Sequence, residues 1–98
     1  MANVLKSKNM RRLGFTDHNP DQWYMTNRIH EAVSFNLTIN KETGEHNIEI
    51  LNEFFLQPED YMRMIGPYAA FIKAWIDLKI YELNQVGLDI DYQHPGLY

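Results

Sequence analysis

The sequence predicts a single α+β domain: an antiparallel β-meander of three to four strands followed by a kinked long helix. Three observations carry this. Val33, Phe35, Leu37 and Ile39 alternate with Ser34, Asn36 and Thr38; the alternation resumes at Ile48 and Ile50 after a turn-forming run, Asn40 to Gly44; and a helical period then extends from Tyr68 to Val86. The 98 residues are 45% hydrophobic and 22% charged, with five glycines and four prolines. That is the composition of a packed chain, and a domain of this size buries about 65% of the surface it exposes when unfolded.

Residues 1–9 show no periodicity and no capping pattern, so a mobile basic arm is expected there, with one domain over 10–98. Met10 to Phe15 reads as a short strand with Leu13 and Phe15 on one side. It ends at Thr16, Asp17, His18, Asn19, Pro20 and Asp21, residues that fix φ or bond their own backbone and so make a loop. Trp23 to Ile29 alternates, with Trp23, Met25 and Ile29 on one face and Tyr24, Thr26 and Arg28 on the other; Asn27 interrupts the apolar row. The next two runs form a hairpin in which Gly44 supplies the positive φ of a turn with a bulge.

Gln57, Pro58, Glu59 and Asp60 carry the marks of a helix start, proline at the first helical position and acids at the positive end of the dipole. Gly66 and Pro67 then break or kink that helix. A second segment follows from Tyr68 to Val86, closed by Gly87 as a left-handed cap. Leu88, Ile90 and Tyr92 alternate with Asp89 and Asp91, the pattern of a short C-terminal strand that Pro95 and Gly96 end.

The long helix is too apolar for a helix lying on one sheet. Tyr68, Ile72, Trp75, Ile76 and Leu83 form one stripe, and Phe71, Ala74, Leu78 and Tyr81 form a second. The second stripe is covered either by the chain itself or by a partner, since monomers rarely expose large apolar patches and interfaces favour aromatic residues. Phe71, Trp75, Leu78 and Tyr81 are therefore the candidate partner-binding residues, for a protein or a second copy of this chain.

Net charge is −4, unevenly placed. Residues 1–12 hold four basic side chains and no acid, whereas 13–98 hold five basic against thirteen acidic, a balance of −8. An acidic body repels phosphate backbones. A nucleic-acid contact, the alternative reading, would run through Lys6, Lys8, Arg11 and Arg12 with Tyr24 and Arg28 of the sheet face. The absence of cysteine excludes disulfides, thiolate metal sites and a thiol nucleophile, and points to a reducing compartment, the cytoplasm. No apolar stretch is long enough for a signal peptide core or a membrane span.

Asp17, His18 and Asp21 are the weak candidates for a metal or proton-transfer site, because carboxylate and imidazole at short spacing ligate divalent ions. Turn geometry explains the same residues. His30, His46 and His94 have no acid or hydroxyl at a meaningful sequence spacing. No phosphate loop, serine elbow or zinc-type histidine pair is present, so neither catalysis nor a cofactor is expected.

Leu13, Gly14 and Phe15, Trp23 and Tyr24, the hairpin Ile39 to Glu45, and the run Phe55, Leu56, Gln57, Pro58, Glu59, Asp60, Tyr61 resemble small uncharacterised proteins encoded by phages and prophages of Gram-positive bacteria. The likeness covers about residues 12 to 80. It carries over no functional residue; what it implies is an accessory role in a host cell, binding a host or phage protein or assisting DNA metabolism.

Overall fold

A computed structural model describes residues 7–52, 57–58, 61 and 67–94. Among them, α1 spans Ser7–Arg12, β1 Gln22–His30, β2 Val33–Asn40, β3 His46–Asn52, β4 Gln57–Pro58 and α2 Tyr68–Gln85. The four strands form one antiparallel sheet in sequence order, β1-β2-β3-β4. The α+β class and the meander-then-helix order are as the sequence predicts.

The hairpin is set by its alternation and its turn. Leu37 pairs with Ile48 and Phe35 with Ile50, so the apolar set lies on one face. At the turn, Asn40 Oδ1 accepts hydrogen bonds from the N–H groups of Glu42 and Thr43, both at 2.8 Å, and Gly44 takes φ 78°. β1 adds Trp23, Met25 and Ile29 to the same face, with a register shift between Arg28 and His30. Asn27 lies in that row, and its Oδ1 is buried with no hydrogen-bond partner among the described residues.

Ile72, Ile76 and Leu83 of α2 complete the core against Phe35, Leu37 and Ile39, and the Trp75 and Phe35 rings stand 5.5 Å apart. The helix ends in a Schellman arrangement: Leu88 N–H donates to the Leu83 carbonyl at 3.2 Å, Gly87 N–H to that of Asn84 at 3.1 Å, and Leu83 and Leu88 are both buried. Gly87 sits at φ 103°, where a Cβ is strained. Gly87→Ala is expected to lower stability by about 1–2 kcal/mol, read as an earlier midpoint in urea.

Four local expectations are corrected. Residues 10–15 are not a strand: Met10 is fully buried from within α1, Leu13 N–H bonds back to Asn9 and Met10, and Gly14 at φ 100° turns the chain into Phe15. The i, i+3 pair of Met10 and Leu13 outweighs the i, i+2 pair of Leu13 and Phe15. The basic arm is thus helical from Ser7 onward. Pro58 does not open a helix; it pairs with Leu51 in the two-residue outer strand, where a missing donor costs no ladder bond. Residues 59–60 and 62–66 of the expected first helical segment, Gly66 of its kink included, lie outside the described residues, whereas Tyr61 is buried and Pro67 stands at the N-cap of α2. The stretch from Leu88 has the period of a strand, with Leu88 and Ile90 buried and Asp89 and Asp91 exposed, but joins no sheet. Side chains take its backbone bonds instead: Asn84 bridges both the N–H and the carbonyl of Ile90 at 2.7 and 3.0 Å, and His46 Nε2 lies 3.1 Å from Asp91 N.

Candidate functional site: the outward face of α2

The two apolar stripes of α2 separate in the fold. Ile72, Ile76 and Leu83 are buried, whereas Phe71, Leu78 and Tyr81 are 51%, 59% and 61% exposed. At about 100° per residue the exposed set is centred roughly 160° round the helix from the buried one. Trp75 is half-buried on Phe35 and links the two, so of the four candidate residues it belongs chiefly to the core. Phe71, Ala74, Leu78 and Tyr81 step by 3, 4 and 3 residues, the spacing of a seam that meets another helix. The patch extends toward the β1–β2 corner, where Tyr68 stacks on His30 with centroids 4.6 Å apart and Phe71 meets His30 edge-on at 6.0 Å.

The basic residues are divided differently. Lys8, Arg11 and Arg12 are exposed on α1, and Lys6 lies outside the described residues. Met10 anchors α1 in the core, so α1 shares the helical side of the sheet; Tyr24 and Arg28 belong to the row that faces the other way. The two halves of the nucleic-acid candidate do not share one surface. Arg11 is further engaged by Asp17 at 2.6 Å, and that hydrogen bond holds the Asp17 carboxyl below its ordinary value. On the sheet's outward face, Tyr24 Oη and Thr26 Oγ1 both donate to Asn36 Oδ1 at 2.8 Å, and Asn36 Nδ2 donates to Ser34 Oγ at 2.9 Å. Asn19 Oδ1 takes the Asp21 N–H at 2.8 Å, a turn bond. His18 is exposed, and among the described residues no group of three or more histidines and acids gathers around a common point.

One constellation escaped the sequence reading. His94, seemingly isolated in sequence, is buried between Tyr61, Tyr92 and Asp77. Its Nε2 lies 2.6 Å from Asp77 Oδ1 and its Nδ1 is bonded to the Tyr61 hydroxyl, which is 3.2 Å from that of Tyr92. With Nε2–H donated to the carboxylate, Nδ1 accepts from Tyr61. Lys73 Nζ donates to the other oxygen of Asp77 at 2.9 Å. The chain has the order of an acid–base relay, and the side chain whose hydroxyl meets the imidazole, Tyr61, is fully buried. It is a clamp, tying residues 92–94 and 61 to the middle of α2.

Burial pushes the Asp77 carboxyl up, but hydrogen bonds and charge from His94 and Lys73 outweigh it and hold it below the usual carboxylate range. Burial pushes the Tyr92 hydroxyl up, opposed by its hydrogen bond with Tyr61. A depressed acid stabilises the fold above its unfolded value and loses that contribution as pH falls through the folded one; a raised hydroxyl contributes below its unfolded value and loses it as pH rises through the folded one. Thermal stability is therefore expected to fall below about pH 4 and above about pH 10. Asp77→Asn should flatten the acid limb and Tyr92→Phe the alkaline one, in melts across that range.

Compared with protein-family models, with curated proteins and with solved structures, the chain matches none. Among the described residues no helix is long and apolar enough to cross a membrane.

Proposed function

We propose that this protein is a non-enzymatic interaction module that binds a protein, another molecule or its own copy, through the outward face of α2. The observation that carries the reading is the exposure of Phe71, Leu78 and Tyr81 on one helix whose opposite side is already buried. Burying such side chains yields about 25 cal/mol per Å2, and aromatic side chains are the residues that interfaces favour. The resemblance to phage and prophage proteins supplies a setting, an accessory role exerted by binding a host or phage protein in the cytoplasm.

The test is retention by immobilised protein in an extract of cells that make it. The wild type is expected to retain a protein, and the Phe71→Glu, Leu78→Glu double variant to retain none while keeping its helical content. Equal retention by both removes the reading. The nucleic-acid alternative has less support, because Arg11 is partly neutralised by Asp17 and the body is acidic. It would show as salt-dependent DNA binding that Lys8→Ala and Arg12→Ala weaken.

A further inference from the structure

Resting on the docking reading, we infer that the occupant of the α2 face is a second copy of this chain, with the two α2 helices packed antiparallel. Spacing, area and charge each support it.

The exposed residues follow the 3-4 step of a two-helix seam, narrow and one helix wide, which fits a straight helix better than a sheet or loop. Tyr68, Phe71, Leu78 and Tyr81 each leave roughly 100 Å2 of side chain in water. With the small residues between them, a symmetric pair removes about 1000 Å2, the lower bound for a specific interface. A self-complementary patch satisfies two-fold symmetry with no further surface.

Direction follows from what lies beside the seam. In a parallel pair, Asp77 of each helix would oppose Glu82 of the other, two like-charge contacts, and Ala74 would face Ala74 across a gap. In the antiparallel pair Leu78 fills the space over Ala74 of the second copy, Phe71 meets Tyr81, and Glu82 lies near Tyr68. The acid that then approaches its own copy, Asp77, is already bonded by Lys73 and His94.

An interface at this lower bound forms weakly, with a dissociation constant on the order of micromolar. Sedimentation equilibrium from about 1 μM to 1 mM is expected to show the 11.7 kDa chain passing to twice that mass. Leu78→Glu should raise the dissociation constant roughly 30-fold or more with an unchanged circular dichroism spectrum. Because the chain has no cysteine, orientation is read directly: mixing Ala74→Cys with Leu78→Cys chains should give mixed disulfide dimers in excess of either self-dimer. A wild type that stays monomeric throughout overturns self-pairing while leaving the face open to a different protein. A dimer indifferent to Leu78→Glu overturns self-pairing through this face and leaves the docking reading to the extract test. Preferred self-dimers in the cysteine mixture overturn the antiparallel arrangement.

Discussion

Ile76→Ala is expected to cost about 2–5 kcal/mol of folding stability, whereas Leu78→Ala, two positions on, should cost less than about 0.5 kcal/mol. Ile76 is fully buried in the core cluster that also holds Ile72, Phe35 and Leu37, and removing three carbons there leaves a cavity that the sheet beneath does not fill by collapsing. Leu78 is 59% exposed, so its truncation removes few contacts within the subunit. The order reverses in an association assay, where Leu78→Ala weakens binding and Ile76→Ala acts only through the folded fraction. Urea denaturation beside a concentration series separates the two faces. Equal destabilisation by both substitutions would mean that the outward face is already packed.

His94→Ala is expected to cost about 2–3 kcal/mol. The substitution takes one hydrogen-bond partner from the buried Tyr61 hydroxyl, removes an imidazole whose ring meets Tyr61 and Tyr92 edge-on at 5.6 and 5.3 Å, and releases one oxygen of Asp77. Tyr61→Phe keeps the ring and removes the hydroxyl that meets His94 Nδ1 and the Tyr92 hydroxyl, so its cost should be nearer 1 kcal/mol. Because Asp77 is half exposed, Asp77→Asn should cost less than His94→Ala, most of its charge interaction being screened. Combining His94→Ala with Tyr61→Phe should be cheaper than the two separate costs, because the bond that the two residues share is then lost once rather than counted twice. Full additivity would show that the hydrogen bond couples nothing.

How much was legible in the sequence differs element by element. The hairpin was readable because Val33 to Ile39 alternate without a break and Gly44 stands where a positive φ is required; period and turn chemistry agree there. Helix α2 was readable from its 3.6-residue period and Gly87, and the excess apolar stripe was visible for the same reason. Residues 10–15 misled because six residues hold both an i, i+2 and an i, i+3 apolar pair, and only the burial of Met10 decides between them. Pro58 misled because proline is as acceptable in a short outer strand as at the first turn of a helix. The Tyr61, His94 and Asp77 clamp left no local trace: its members lie 33 and 17 positions apart, and only folding brings them within bonding distance. Leu88 to Tyr92 showed its burial pattern correctly, yet period two reports which side chains are covered, not whether a neighbouring strand or the side chains of Asn84 and His46 receive the backbone bonds.

An apolar stripe along α2 left in water by its own subunit is most directly tested by hydroxyl-radical labelling of side chains, read by mass spectrometry at a dilution where the chain is monomeric. Phe71, Leu78 and Tyr81 should label at rates near those of an unfolded reference, Trp75 at an intermediate rate, and Ile72, Ile76 and Leu83 far more slowly. Protection of Phe71, Leu78 and Tyr81 equal to that of Ile76 in the dilute monomer would contradict the open face, and with it the docking surface.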